Sequence, residues 1–321
     1  MSGRGRFEPL DLSGVRRRSI HDSSRKVSSR DLAKVVEPGP ELRAFLDSLP
    51  GLLGGKEFRE FLEIVAARRA AGQPLLIMYG GHVVKCGLVP LLVDLMRRGY
   101  VTALATNGSG AIHDLEMSLF GRTSEDVVEG LADGSFGMVR ETGDFVHQVL
   151  RERPGLGYGE AVGRRLLETD RTHAATSLLG AAVDLGLPLT VHVAIGTDIV
   201  HQHPDMPAGA LGEASYLDFR ILCRVLAEMG GGGIVINLGS AVILPEVFLK
   251  ALTVVRNLGH FTRDLITANF DMLQHYRPRV NVVDRPTRVG GRGFQFTGQH
   301  EILVPLLCAG LRSYSELKPA R

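Results

Sequence analysis

From residue 74 onward the hydrophobic period of the chain switches back and forth, and this alternation is the strongest constraint on its fold. "PLLIMY" is an unbroken apolar run, "GLVPLLVDLMRRG" has helical spacing, "YVTALAT" is a second apolar run, and "AIHDLEMSLFG" is helical again. Further on, "LPLTVHVAI", "GIVINL" and "DLITANF" read as strands. They are separated by the helical patterns "YLDFRILCRVLAEMG" and "PEVFLKALTVVRNLG", where Pro245 suits a first helical turn. Strands that are apolar at every position need cover on both faces. The pattern therefore predicts an α/β architecture, a parallel sheet with helices on both sides.

Two helical patterns precede the first strand, one with Leu42, Phe45, Leu46 and Leu49, the other with Phe58, Phe61, Leu62 and Val65 on one face. They predict an N-terminal helical extension. Thr123 to Gly186 reads as helices with Gly-rich breaks and no strand. "QHYRPRVNVVDRPTRVGGRGFQFTG" reads as irregular chain before a closing helix around "HEILVPLLCAGL". With no internal repeat and no linker, residues 39–321 are expected to form a single α/β domain.

Over 321 residues the chain is 44% hydrophobic and 22% charged, which excludes disorder as its main state. No window approaches the roughly 18 apolar residues of a membrane span, and the start lacks the apolar core of a signal peptide, so the expected address is cytoplasmic. Cys86, Cys223 and Cys308 have no CxxC spacing and are expected to be reduced and buried. A net charge of +2 gives no argument for a nucleic-acid partner. Residues 1–38, however, collect Arg4, Arg6, Arg16, Arg17, Arg18, Arg25, Lys26 and Arg30 in a Ser-rich segment, expected as a flexible basic arm that is solvated or draped on a partner.

Ligands of open parallel sheets sit at the carboxyl ends of the strands. The five stretches that follow the strands are alike: "YGGHVVKCG", "TNGSGAIHD", "IGTDIVHQH", "LGSAVILPE" and "TANFDMLQH". Each offers small residues and then polar ones, and glycine there lets backbone N–H groups approach a phosphate. No GxGxxG spacing is present, so the case rests on the set. Lys85 lies between apolar segments, where a desolvated amine can form an imine or simply contact a phosphate. Lys250 reads as a surface lysine. His192, His201 and His203, with Asp198 and Asp205, form the densest polar cluster; they could share a metal with His113 or hydrogen-bond a substrate. His113 and Asp114 open a helix, where Asp114 also suits the helix dipole.

The order of these turns resembles deoxyhypusine synthase and the proteins that share its Rossmann-like NAD-binding fold, over roughly residues 75 to 285. The resemblance matches Gly80-Gly81-His82 and Lys85-Cys86-Gly87 with the family's first turn. It matches Thr106-Asn107-Gly108-Ser109-Gly110 and Asp114 with the turn lining NAD, and Gly196-Thr197-Asp198 with the turn whose aspartate binds the polyamine. Leu238-Gly239-Ser240-Ala241 and Ile266-Thr267-Ala268 are similar to two further turns. The tryptophan and lysine that carry the transferred butylamine group are missing, the chain having no tryptophan, and Pro245-Glu246 stands where the family has a histidine pair. "GHVVKCG", "ATNGSGAIHD" and "HVAIGTD" are similar to a prokaryotic branch of this superfamily.

The resemblance implies an NAD platform without deoxyhypusine synthesis, in a homo-oligomer, dimer or tetramer. The expected activity is that of an NAD-dependent transferase or oxidoreductase, abstracting hydride from a small substrate with an amine or hydroxyl. Thr106, Asn107, Gly108, Ser109, Gly110, Asp114, Gly239, Ser240, Thr267 and Ala268 are the expected cofactor residues. Asp198 would pair a cationic amine, His113 or His201 would move the proton, and Lys85 would touch phosphate or form the imine. The alternatives are a metal-dependent hydrolase or lyase using His192, His201 and His203, and a non-catalytic NAD-binding protein.

Overall fold

The computed structural model describes residues 8–316. A small antiparallel pair joins β1 (Arg25–Ser28) to β4 (Arg122–Glu125). The main sheet holds β2 (Leu75–Tyr79), β3 (Ala103–Asn107), β5 (Leu189–His192), β6 (Ile234–Leu238), β7 (Ile266–Asp271) and β8 (Arg292–Thr297), all parallel, in the order β5-β3-β2-β6-β7-β8. Numbered by appearance in this sheet, that is 3-2-1-4-5-6, the doubly wound Rossmann order, with its switch point between β2 and β6.

Period-two alternation sorts the strand residues between two cores. Leu75, Ile77 and Tyr79 face the larger one, with the helices Leu53–Ala70, Val89–Arg97 and His300–Glu316. Leu76 and Met78 face the smaller one, under the helices Ala208–Ala227 and Ile243–Asn257. Phe58, Phe61, Leu62 and Val65 do share the buried face of their helix, and Phe61 packs edge-on against Phe294 at 5.3 Å between centroids. Among the described residues no helix is long and apolar enough to cross a membrane.

Three expectations need correction. The stretch read as strandless contains β4, whose polar "RTSE" carries no apolar signal; it exists because β1 pairs with it, Val27 opposite Thr123. The stretch read as irregular contains a π-helical turn, Pro278–Asp284, and β8, an edge strand in which Phe294 and Phe296 point inward between more exposed neighbours. The basic arm is in part not free. Ile20 is fully buried, the Arg18 N–H donates to the Met138 carbonyl at 2.8 Å, and the Ala33 N–H donates to the Gly87 carbonyl at 2.8 Å. Its first seven residues lie outside the described ones.

Candidate functional site

Beyond the carboxyl ends of β2, β3 and β5 lies a cavity of about 180 Å³ lined by Lys85, Ser109, His113, Asp198, Glu116 and Arg25, among others. It is below the roughly 300–1,000 Å³ of drug-sized pockets, so it suits a small molecule or the end of a larger one. Lys85 ends the short helix that follows β2, and its ammonium makes no hydrogen bond or ion pair among the described residues. Ser109 and His113 come from the helix Gly108–Phe120, which starts where β3 ends because Asn107 caps it, its side chain accepting from the Gly110 N–H at 3.0 Å.

Asp198 follows β5 and is nearly buried. Its backbone is tied to His201: the His201 N–H donates to the Asp198 backbone carbonyl at 3.0 Å, and His201 Nδ1 accepts from the Asp198 N–H at 3.2 Å. One carboxylate oxygen, Oδ2, is buried and has no hydrogen-bond partner. Burial pushes the acid constant of Asp198 up to about 6. A Cβ on Gly108 would run into this carboxylate, so Gly108 is needed to seat Asp198 at the start of the helix. Burial pushes His113 the other way, down to about 3, with Lys85, Arg25 and His82 adding repulsion.

Several expected cofactor residues do other work. Asp114 is fully buried, and its two oxygens accept from the Ser177 hydroxyl, the Leu178 N–H at 2.8 Å and the Leu179 N–H at 3.1 Å, capping the helix Leu178–Asp184. The Thr106 hydroxyl donates to the Tyr79 carbonyl at 2.9 Å between two strands, and Gly110 is glycine because a Cβ would strike that hydroxyl. Thr267 and Ala268 lie in the body of β7, fully buried; Asn269, Phe270 and Asp271 occupy its carboxyl end instead. Ser240 caps the next helix, its hydroxyl accepting from the Leu244 N–H at 3.2 Å. Lys250 pairs with Glu246 on the surface, as expected.

The three histidines of the metal alternative do not converge. His192 Nε2 is 2.9 Å from the Thr190 hydroxyl, His203 Nε2 is 3.1 Å from the Gly137 carbonyl, and His201 Nδ1 takes the backbone N–H groups of Gly196 and Asp198. Among the described residues no group of three or more His, Cys, Asp or Glu is placed to hold a metal ion.

A second polar cluster flanks the switch point. Gly239 adopts φ +62°, and a side chain on it would strike His300. His300 is buried with neither ring nitrogen hydrogen-bonded, its Nε2 3.9 Å from Asp271 Oδ1, and Asp271 Oδ2 likewise lacks a hydrogen-bond partner. Unpaired polar atoms beside a glycine turn at this place fit the polar groups of a dinucleotide. Asn237, Asn269 and Gln274 tie the adjacent strand ends together through amide hydrogen bonds of 2.7 and 2.8 Å.

Sequence reading missed Arg25, Thr123 and Glu125. Arg25 comes from the supposed arm; its side chain is only 2% exposed and lies 3.6 Å from Glu116 and 3.3 Å from Glu125. The local signal for Glu116 was its place one turn after His113; the others become neighbours only through the β1–β4 pairing.

No protein-family model and no curated protein matches the sequence. Solved structures do match the fold. A provisionally assigned deoxyhypusine synthase from Entamoeba histolytica superposes with a TM-score of 0.53 at 11% identity, over 86% of this chain and 96% of that one. Unliganded AgrE gives a TM-score of 0.51 at 16% identity, over 83% of this chain and 34% of that one. The ternary complex of AgrE with ornithine and NAD+ gives 0.50 at 14% identity, over 83% and 35%. The chain thus spans about a third of the length of AgrE. What it shares with these proteins is the α/β fold.

Proposed function

We propose that the chain is an NAD-dependent enzyme acting on a small substrate with a cationic amine. Asp198 Oδ2 carries this reading. A carboxylate oxygen buried without a partner is costly, and the cavity it shares with Lys85 and His113 has room for the group that would relieve it. A substrate ammonium donating to Oδ2 supplies that partner and draws the raised acid constant back down.

When bound, NAD supplies a hydride acceptor. The residues that would hold it are Gly239 and His300 at the switch point, together with the N-terminal turn at Gly108 and Ser109. Support comes from the strand order, from the unpaired polar atoms beside Gly239, and from AgrE, whose crystal complex contains ornithine, an amine, with NAD+. In the cavity, Asp198 orients the substrate nitrogen. His113, neutral at physiological pH, takes a proton from the reacting centre. Lys85, as the unpaired cation, contacts an anionic group of substrate or cofactor, or forms an imine.

The test is the thermal midpoint of the protein with and without NAD, followed by absorbance at 340 nm with NAD and ornithine or a simple diamine. Binding at a hundredfold excess over Kd stabilises by about 2.7 kcal/mol. Asp198→Asn is expected to keep the NAD-induced shift and to lose amine-dependent turnover by about a hundredfold. No shift at saturating NAD would overturn the cofactor; a shift with Asp198→Asn as active as the parent would overturn the amine role.

A further inference from the structure

Thr123 is bonded on both sides. Its hydroxyl oxygen lies 2.6 Å from Glu116 Oε2 and 2.7 Å from His113 Nδ1. A threonine hydroxyl has one proton, so it donates to one neighbour and accepts from the other. The direction is set by Glu116. That carboxyl is buried, and its other oxygen accepts from the Thr142 hydroxyl at 2.8 Å. Beside it, Arg25 Nη1 stands 3.6 Å from Oε2, with a guanidinium that cannot give up its proton. Burial raises the pKa of Glu116, while the Arg25 guanidinium and the Thr142 hydroxyl favour the carboxylate, and as a carboxylate it only accepts. The Thr123 proton therefore points to Glu116, its lone pair points to His113, and Nδ1 must carry the hydrogen.

We infer that Glu116 and Thr123 are positioning residues that hold His113 as its Nδ1–H tautomer and so make Nε2 the proton acceptor of the cavity. The inference deepens the reading of His113 given above and rests on it for the purpose of the device, while the tautomer itself can be measured without it. A proton leaving a substrate N–H or O–H passes to Nε2. The imidazolium that results is offset by Glu116 through the Thr123 hydroxyl, as a buried carboxylate behind a histidine offsets its charge in other acid–base sites.

His201 is set the opposite way. Its Nδ1 accepts from two backbone N–H groups, at 3.1 Å from Gly196 and 3.2 Å from Asp198, so its hydrogen is on Nε2, 3.8 Å from Asp198 Oδ2. His113 lines the cavity and His201 stands beside Asp198, two neutral imidazoles with complementary tautomers, and of the two only His113 offers a basic nitrogen to the cavity. This resolves which of the two accepts the proton. His113 and Glu116 share one helix, yet Thr123, whose hydroxyl joins them, arrives on β4, held in place by β1 from the N-terminal segment.

The experiment is a two-bond proton–nitrogen correlation spectrum of the full chain labelled with 15N-histidine, at neutral pH and without ligand. The His113 signals are assigned by their loss in His113→Gln. The expected result is His113 as Nδ1–H in the parent and in Thr123→Ser, and as Nε2–H in a folded Thr123→Val. An Nε2–H signal for His113 in the parent overturns the inference, as does an unchanged Nδ1–H form in Thr123→Val. The parent spectrum decides the tautomer even where the valine variant does not fold. The NAD-induced shift of the thermal midpoint is read separately, so a failed cofactor reading and a failed tautomer are told apart.

Discussion

The stretches that follow the neighbouring strands β3 and β5 each carry an aspartate that burial pushes up to about 6, yet the two regions differ in kind. Asp114 gives both oxygens to a hydroxyl and two backbone N–H groups and closes a helix end. Asp198 lines a cavity and keeps one carboxylate oxygen buried without a hydrogen-bond partner. Residue type, burial and a raised acid constant do not separate them. What separates them is which donors each lone pair has met, and a donor that the fold leaves out is one that a ligand can supply.

The largest test of this contrast is Asp114→Ala. It strands the Ser177 hydroxyl and two buried N–H groups, and unfolding in urea is expected to show a loss of about 3–4 kcal/mol. Asp198→Ala, measured alongside, is expected to cost little, and an equal loss at both positions would erase the distinction.

A somewhat smaller effect, about 2 kcal/mol, is expected for Gly108→Ala, whose methyl group would press on the Asp198 carboxylate. In an Asp198→Ala background the penalty should largely vanish. A double-mutant cycle with coupling near zero would show that Gly108 serves something other than seating Asp198.

The pH dependence sharpens the comparison further. The folded acid constants of Asp114 and Asp198 lie above the unfolded value near 4, so the native state binds more protons than the unfolded chain between about pH 4 and 6. Stability therefore falls as pH rises through that window and stays lower above it. Asp198→Asn should flatten part of this decline, by roughly 1–2 kcal/mol in urea midpoints taken across the window. An identical slope in parent and variant would mean that Asp198 is ionised throughout. The smallest effect belongs to Lys250→Ala: its exposed pair with Glu246 should be worth less than about 0.5 kcal/mol by the same measurement.

Much of this was legible beforehand in the run of residues. The continuous apolar strands β2, β3, β5, β6 and β7 and the helices between them follow from hydrophobic period, a local property that survives because burial on both faces leaves no other reading. The place of the cavity, at strand carboxyl ends beside Lys85, His113 and Asp198, followed from the same pattern. β4 and β8 did not follow: one is polar and exists through its partner β1, and the other is an edge strand with two inward phenylalanines. The glycine turns were read as a phosphate cradle, and what the sequence could not show is the close approach of Asp198 to Gly108, Thr106 to Gly110 and His300 to Gly239.

By itself, then, the sequence determined the layers of this protein and the edge of the sheet where polar groups collect, because period and turn chemistry are written over a few neighbouring residues. Only the tertiary structure decided which of those groups are spent. Lone pairs are satisfied by whatever the fold brings near, and Arg25 beside Glu116, Thr123 beside His113 and Ser177 beside Asp114 come together across 91, 10 and 63 positions of the chain.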